Sequence, residues 1–362
     1  MKKHIGTCFL LVLWVSLTLF AWCKPATNAS DSERRQLAQF PELSIKTLLS
    51  GDFMEDFADY AVDQFPLRDA FRSLKANAAT KLFFQSDNNG IYVVDGSAAK
   101  MEYPLNTDSI HNAAQRFQEL YDTYLSDADD IFFAIVPDKN LYLAQPSGHL
   151  SMDYDALSET MKNALPWAEF VDLTGKLEGS SYYRTDTHWR QEALLPTAKA
   201  LCDALGVDFR EDFTTQTLTE DFQGVYSGQS ALSLAPDALR YLTWEGWEDC
   251  TVWSADTGKT TPIYDLSKET AKDQYDIFLS GGMALQVITN PHGETGKDLI
   301  VFRDSFGSSL IPLLVRSYST ITLIDTRYIS PDRLQNYVNF QNKDVLMLYS
   351  TLVLNSSGVL RK

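Results

Sequence analysis

Four short apolar runs, each bounded by polar residues, constrain the fold of this chain most strongly. They read DIFFAIVP, DLIVFRDSF, TITLIDTRY and DVLMLYSTLVL. Continuous apolar runs of this length are typical of strands buried on both faces. Segments with helical spacing lie between them, notably 190–205, 308–317 and 331–339. The sequence therefore predicts an α/β fold in which helices flank a mostly parallel sheet.

The other regions of the chain differ from this pattern. Residues 41–81 repeat apolar side chains at helical spacing, which predicts two helices with a break at Gln64-Phe65-Pro66. Residues 206–275 combine Thr, Gly and Asp with many aromatic residues and few apolar runs. We interpret them as an irregular, β-rich insertion in a single α/β domain that spans 41–362.

The N-terminus predicts export. Lys2 and Lys3 precede the apolar run Ile5–Cys23, whose length is close to what a bilayer core requires. Residues 1–24 therefore form either a signal peptide or an N-terminal membrane anchor, and residues 25–40 a polar linker. Bulky Trp22 suits cleavage poorly, so both alternatives stay open. In either case the domain is expected to work outside the cytoplasm, and to meet the membrane only through this segment.

Charge and cysteine content exclude several classes of function. The net charge of −17 repels phosphate backbones, so nucleic acid is not an expected partner. Cys202 and Cys250 belong to no closely spaced Cys/His cluster, and we predict no metal site. The two cysteines either form a disulfide or are two buried thiols.

Ser305 is the best candidate for a nucleophile. It follows the apolar strand DLIVFR directly and precedes Gly307 and an apolar helical segment. Sites of α/β proteins lie at such strand-to-helix turns, where free N–H groups favour an alkoxide or an oxyanion. The simpler alternative is that Asp304, Ser305 or Ser308 only caps the helix, and Ser308 and Ser309 are rival nucleophiles.

His188 is the best candidate for the base that a serine nucleophile needs. Asp186 lies two residues before it, so the carboxylate can orient the imidazole, as in a Ser/His/Asp triad. Alternatively, Thr185 or Asp186 caps a helix that begins near Arg190, and His188 packs against Trp189. Gly281 and Gly282 follow a short apolar run that we predict to be a strand, and their unhindered N–H groups could stabilise an oxyanion, although a plain turn between two strands explains them as well.

These segments together resemble the DHHW-protein family of exported bacterial proteins. That family is itself similar to the alginate O-acetylation proteins (AlgX/AlgJ-like) of the SGNH-hydrolase superfamily. The resemblance covers most of the chain and consists of ordered blocks: DQFP at 63–66, NGIY at 89–92, VPDK at 136–139, YRTDTHW at 183–189, FQG at 222–224, PD at 236–237, FLSGG at 278–282 and RDSF at 303–306.

The resemblance implies a permuted, SGNH-hydrolase-like sheet and a triad of Ser305, His188 and Asp186. Tyr183, Arg184 and Trp189 belong to the signature block, and with Gly281 and Gly282 they are candidates for oxyanion or substrate contacts. Relatives commonly carry an asparagine after the two glycines. Here Met283 stands in its place, which weakens the oxyanion assignment.

The resemblance also implies an activity. We expect an O-acetyltransferase or O-acetylesterase with a serine nucleophile that acts on a cell-surface or secreted polysaccharide and needs no cofactor. A membrane protein that exports acyl groups is an expected partner of a transferase. The alternative is a catalytically inactive protein that keeps the fold and binds or assembles glycans.

Overall fold

The computed structural model describes residues 4–128 and 130–362; Lys2 and Lys3, which the sequence predicts to flank the membrane segment, lie outside the described residues. The chain divides into two compact units. One comprises residues 1–89 with 227–233, and the other comprises 90–226 with 234–362. The first boundary between the units falls after Asn89.

The helices and strands have the following bounds. The α-helices are α1 Ile5–Cys23, α2 Ile45–Ser50, α3 Asp52–Asp63, α4 Arg68–Asn77, α5 Thr107–Leu120, α6 Asn140–Ser147, α7 Tyr154–Ala164, α8 Leu195–Ala204, α9 Val225–Ser230, α10 Gly307–Leu310 and α11 Thr351–Leu354. The strands are β1 Ala29–Ser30, β2 Arg35–Gln36, β3 Ile91–Val94, β4 Ser97–Lys100, β5 Ile131–Val136, β6 Glu169–Val171, β7 Thr214–Phe222, β8 Asp237–Thr243, β9 Thr251–Ser254, β10 Thr260–Pro262, β11 Leu285–Thr289, β12 Asp298–Arg303, β13 Thr320–Ile324 and β14 Asp344–Ser350.

An eight-stranded sheet forms the centre of the larger unit, with strand order β10-β9-β11-β13-β12-β14-β5-β6. The five strands from β13 to β6 are parallel. The three strands at the other edge, β10, β9 and β11, are antiparallel to their neighbours. All four apolar runs of the sequence are strands of the parallel part, so the predicted fold class is confirmed.

Both faces of the sheet are covered. Alternate residues of a strand point to opposite faces, and in β5 Phe133 packs with α5 and α7 while Phe132 and Ala134 pack on the other side with α8 and the β7–β8 pair. Because apolar residues are required on both faces, these strands show continuous apolar runs where a half-exposed strand would alternate.

The structure differs from two predictions within this unit. Strands β9 and β10 of the region 206–275 extend the central sheet, and only β7 and β8 form a separate two-stranded sheet. The predicted helix at 308–317 is short α10 followed by 3₁₀ turns at Ile311–Leu313 and Val315–Ser317. Pro312 lacks the N–H group that a continuing α-helix would need.

The smaller unit contains α1 to α4 and the β1–β2 hairpin. Helix α3 ends at Asp63 and α4 begins at Arg68, so the predicted break at 64–66 is present. The segment predicted as a polar linker, 25–40, is folded in this unit. It carries the hairpin, and Arg35 in β2 donates to Asp63 at the end of α3 through two nitrogens, at 2.8 and 2.6 Å.

Helix α1 is long and apolar enough to cross a membrane, with a mean hydropathy of 2.1 and no buried residue. A signal sequence and an anchor share these properties. Cys202 and Cys250 are both buried free thiols, which favours the second of the two alternatives considered for them.

Candidate active site

Ser305 lies in the turn after β12, at the edge of the sheet where the parallel strands end. Asp304 fixes this turn: one carboxylate oxygen accepts the Phe306 N–H at 3.0 Å and the other accepts the Ser350 N–H at 2.7 Å. Asp304 thus fixes the turn, α10 begins without a side-chain cap, and the hydroxyl of Ser305 is left for another partner.

The two rival serines are engaged elsewhere. Arg303 is fully buried and donates to the Ser308 hydroxyl at 3.0 Å and to Gln286 Oε1 at 2.9 Å. The Ser309 hydroxyl accepts from Trp189 Nε1 at 3.0 Å and from the Tyr275 hydroxyl at 2.8 Å. Both serines are therefore buried residues whose hydrogen bonds stabilise the turn that carries Ser305.

Hydrogen bonds join Asp186, His188 and Ser305 in one chain. His188 Nε2 lies 2.9 Å from Ser305 Oγ, and His188 Nδ1 lies 2.6 Å from Asp186 Oδ1. A carboxylate only accepts, so Nδ1 carries the proton and Nε2 presents a lone pair to the serine hydroxyl. This is the arrangement in which histidine can take a proton from serine.

The Asp186 carboxylate accepts further bonds that fix its orientation. The backbone N–H of His188 donates to Oδ1 at 3.0 Å, and the N–H of Val225 donates to Oδ2 at 2.8 Å. Both oxygens of a buried acceptor are thus occupied by N–H donors. The carboxylate has little freedom to turn away from the imidazole.

Tyr275 is a site residue that the sequence did not predict. Its ring stacks on the His188 imidazole, with centroids 4.0 Å apart and an interplanar angle of 10°. Phe306 contacts the same imidazole, with centroids 5.0 Å apart. The two rings limit rotation of His188. Tyr275 lies in the 3₁₀ helix Gln274–Ile277, where the sequence had predicted a short strand.

Tyr183 and Trp189 are not substrate contacts, in contrast to the prediction. Both side chains are fully buried. Trp189 Nε1 donates to the Phe306 carbonyl at 3.0 Å, so its indole supports the nucleophile turn. The Tyr183 ring packs edge-on against Phe222 at 5.0 Å. Their place in the signature reflects packing beneath the site.

Arg184 is half-exposed and belongs to a contact network around the acid. Its Nε lies 3.2 Å from Asp237 Oδ1. The other Asp237 oxygen accepts from the N–H and the hydroxyl of Thr185, at 2.8 and 2.7 Å. Asp237 therefore holds the two residues that immediately precede Asp186.

A cleft of about 640 Å³ lies beside this network. Its lining includes Tyr182, Arg184, Arg190, Asp237 and Arg240. Neither Ser305 nor His188 lines it. Its polar and charged lining suits a hydrophilic chain better than a lipid.

Gly224 permits the close approach of the FQG block to the acid. A Cβ atom at this position would lie 2.3 Å from the Asp186 Cβ and 2.5 Å from the Thr185 carbonyl oxygen. Both are backbone-proximal atoms that cannot swing away. The FQG block therefore requires glycine at position 224 because it packs against Asp186, and this contact explains why the block belongs to the family resemblance.

We expect Gly224→Ala to lower ester hydrolysis at least about 100-fold, because an acid displaced by an ångström no longer orients the base. The free energy of unfolding should fall by about 1–3 kcal/mol, as for other overpacked sites. Urea denaturation and a hydrolysis assay measure the two effects. Gly175→Ala is the matched control, since a Cβ there meets no atom within 4 Å. Equal behaviour of the two variants would contradict the prediction.

Lys139, from the VPDK block, is a buried cation next to the acid. Its Nζ donates to the Tyr183 carbonyl at 2.8 Å and lies 5.0 Å from the centroid of the Tyr226 ring. Burial lowers the pKa of this ammonium from 10.5 to about 7, although Asp186 and Asp237 act in the opposite direction.

Lys139 should make the stability of the fold depend on pH. Above about pH 7 and below the ordinary lysine pKa, the unfolded chain binds more protons at residue 139 than the folded chain, so the free energy of unfolding rises with pH. We expect Lys139→Met to lose this slope, which is at most about 1.4 kcal/mol per pH unit. Urea denaturation at about pH 7.5 and about pH 9.5 compares the two proteins. Parallel stability profiles would exclude this role.

The predicted oxyanion hole is less complete than the triad, because one of its predicted N–H donors already has an acceptor within the protein. The Ser305 N–H has no acceptor among the residues that the structure describes, and is therefore available. The Gly281 N–H, predicted as a second donor, already donates to the Phe278 carbonyl at 3.1 Å. Gly282 lies beside Tyr328, whose ring would be 3.5 Å from a Cβ at this glycine. In residues 4–128 and 130–362, no group of three or more His, Cys, Asp or Glu side chains could hold a metal ion.

Comparisons with known proteins agree with this description. The model of the DHHW protein family matches residues 173–324. A comparison with curated proteins finds no match. Among solved structures, a DHHW family protein from Eubacterium siraeum is 22% identical, with a TM-score of 0.60 over 76% of this chain and 97% of that chain.

Two further solved structures are similar to this chain. Bacillus cereus PatB1 with a sulfonyl adduct is 18% identical, with a TM-score of 0.54 over 73% of this chain and 95% of that chain. The O-acetyltransferase domain of Pseudomonas putida AlgJ is 14% identical, with a TM-score of 0.46 over 74% of this chain and 92% of that chain. The resemblance to the DHHW-protein family is thereby confirmed, and the chain shares the fold of the DHHW family protein from Eubacterium siraeum and of PatB1.

Proposed function

We propose that the protein is an exported serine acyl-transfer enzyme that moves or removes O-acetyl groups on a cell-surface or secreted polysaccharide. The observation that carries this proposal is the unbroken chain of hydrogen bonds from Asp186 through His188 to Ser305, at 2.6 and 2.9 Å. An inactive glycan-binding protein would need no such chain, although Met283 and the occupied Gly281 N–H are the two observations that favour that alternative.

The geometry supports a two-step reaction. Ser305 Oγ attacks the acyl carbonyl carbon while His188 Nε2 takes the hydroxyl proton, and Asp186 stabilises the imidazolium. The Ser305 N–H donates to the oxyanion. Collapse of the tetrahedral intermediate breaks the bond to the leaving oxygen, which receives the proton from His188. An acyl-serine remains.

The second step decides between transfer and hydrolysis. A sugar hydroxyl or a water attacks the acyl-serine carbonyl and gives its proton to His188, and the proton returns to Ser305 when the ester bond breaks. The product is an acylated sugar in one case and a free carboxylic acid in the other. The cleft beside Arg184 and Asp237, which neither Ser305 nor His188 lines, offers charged side chains that could contact a glycan chain.

Two further features support the proposal. The resemblance to the DHHW-protein family implies the same three residues in the same order. PatB1, which shares the fold, carries a sulfonyl adduct in its solved structure, and sulfonyl reagents are therefore suitable probes for this chain. Helix α1 fits an anchor or a signal sequence, so we place the enzyme outside the cytoplasm, where an acyl-exporting membrane protein would supply a transferase.

A chromogenic acetyl ester tests the proposal. The full chain in detergent should release the chromophore and, in the presence of a soluble oligosaccharide, add acetyl groups to it that mass spectrometry detects. Acetate without acetylated sugar would identify an esterase. His292→Ala is the control. His292 forms a second histidine–carboxylate pair, with Asp249 at 2.7 Å, but this pair is exposed, so the substitution should leave the rate unchanged. A wild-type rate equal to that of His188→Ala would refute the proposal.

A further inference from the structure

The turn between α3 and α4 exposes a group of apolar side chains. Val62 and Leu67 are 64% and 66% exposed, and Phe65 and Phe71 are 37% and 42% exposed. The two phenyl rings contact each other, with centroids 5.4 Å apart. We call these four residues the elbow surface. Soluble proteins rarely leave such residues together in water, and where they do, the surface meets a partner or a membrane.

The backbone at Leu67 holds its side chain outward at a cost. Leu67 has φ 55°, in the left-handed region that a branched side chain rarely occupies. Strain of this kind persists where the surroundings impose it. A glycine or asparagine would relieve the strain but would remove the exposed leucine.

The buried side of the same turn binds the segment that leaves α1. Gln64 Oε1 accepts the Thr27 N–H at 2.8 Å, and Gln64 Nε2 donates to the Thr27 carbonyl at 2.8 Å. Asp63 accepts the Ala38 N–H at 2.9 Å in addition to its two bonds from Arg35. The polar residues of the DQFP block therefore attach the N-terminal segment to the elbow.

This attachment fixes the distance between the elbow and the membrane segment. Helix α1 ends at Cys23, and Lys24, Pro25 and Ala26 are the residues between it and Thr27. Four extended residues span at most about 14 Å. The interfacial region of a bilayer extends about 5–8 Å beyond its hydrocarbon core on each side. Gln64, and with it the turn that carries the elbow surface, is therefore tied within a short reach of the end of α1.

We propose that the elbow surface inserts into the outer interface of the membrane that α1 anchors, so that α3 and α4 lie on the bilayer. Amphipathic helices bury their apolar faces about 5–10 Å deep in this way. The charged side chains within and beside the elbow are paired. Asp63 pairs with Arg35 and Arg68, at 2.6 and 3.2 Å, and the exposed Asp69 lies 3.7 Å from both Arg68 and Arg72. The inference is independent of the proposed acyl transfer, and it implies that α1 is retained as an anchor.

Photolabelling of the full chain tests this arrangement. The protein is reconstituted in phosphatidylcholine vesicles that contain a phospholipid with a diazirine in its acyl chain, irradiated, and mapped by mass spectrometry. We expect lipid adducts on residues 62–71 as well as on α1. Leu150 and Val359 are the internal controls, because they are 54% and 50% exposed and apolar but remote in sequence from the anchor. Adducts confined to α1 would overturn the proposal.

A variant of the elbow surface distinguishes insertion into the membrane from contact with a second copy of the chain. Val62→Ser, Phe65→Ser, Leu67→Asn and Phe71→Ser combined should reduce adducts on 62–71 by about fivefold or more, with adducts on α1 and ester hydrolysis unchanged. Leu150→Ser is the matched control and should change neither. A second copy of the chain on this surface would instead shield 62–71 from lipid and allow cross-links between chains, and that result would refute insertion.

Discussion

Replacing Asp186 with asparagine is expected to lower kcat for acetyl-ester hydrolysis about 10⁴-fold, the size of effect that the same change has in a serine-protease triad. The reason is the set of donors around the carboxylate. Oδ1 accepts from the Nδ1 and the backbone N–H of His188, and Oδ2 accepts from the N–H of Val225.

An amide group cannot satisfy this set of donors in either orientation. With its NH₂ group at the Oδ2 position, asparagine would face the Val225 N–H donor to donor. With its NH₂ group at the Oδ1 position, it would force the His188 proton onto Nε2, where the imidazole can no longer accept from Ser305. The loss should appear in kcat more than in KM, because ground-state binding does not depend on the tautomer.

Asp249→Asn is the matched control for this prediction. Asp249 and His292 form the same kind of pair, at 2.7 Å, but both side chains are 59% exposed. Their substitution should leave kcat unchanged. A similar kcat for Asp186→Asn and Asp249→Asn would show that the buried pair serves only the fold.

Replacing Ser305 with alanine should have the largest effect on the rate. We expect loss of at least about 10⁴-fold in kcat/KM, because the residual rate then comes only from binding and the oxyanion donor. The hydroxyl is bonded to His188, so its removal should change the free energy of unfolding by no more than about 1 kcal/mol. Steady-state kinetics and urea denaturation measure the two quantities separately.

Ser308, the rival nucleophile, is expected to show the opposite pattern when it is replaced, with a larger effect on stability than on the rate. Ser308 is buried and accepts from Arg303, so Ser308→Ala leaves a buried donor unpaired and should lower stability by about 1–3 kcal/mol. Its effect on the rate should be the smaller of the two. A rate that survives in Ser305→Ala and disappears in Ser308→Ala would move the nucleophile and contradict our assignment.

The sequence predicted the fold correctly where strands are buried on both faces, because burial on both faces leaves a continuous apolar run. Strands buried on both faces, such as β5 and β12, must be apolar throughout, and the sequence shows them directly. The antiparallel strands β9 and β10 were not recognised as part of the central sheet, because they are only four and three residues long and half or more of those residues are Thr or Ser. The glycines at 281 and 282 follow a 3₁₀ helix and not the predicted strand, since an apolar run as short as Ile277-Phe278-Leu279 suits either structure.

The site was predictable only at the level of its reactive groups. Asp186 and His188 are neighbours in sequence, and Ser305 follows a recognisable strand, so each leaves a local signal. Asp237, Lys139 and Gly224 act through bonds or contacts with residues 183–186 from distant parts of the chain. Such contacts leave no local pattern, and only the blocks VPDK, FQG and PD, which resemble the family, mark these three residues. Tyr275 likewise reaches His188 only through the tertiary fold.

The most direct measurement of the central claim is the covalent capture of the nucleophile. The full chain is incubated with phenylmethylsulfonyl fluoride, which releases fluoride when an activated serine attacks its sulfur, and the intact mass is then recorded. We predict one sulfonyl group per chain, mapped to Ser305, and none in His188→Ala or Ser305→Ala. An unmodified wild-type chain, or a sulfonyl group that persists in Ser305→Ala, would contradict a triad of Asp186, His188 and Ser305.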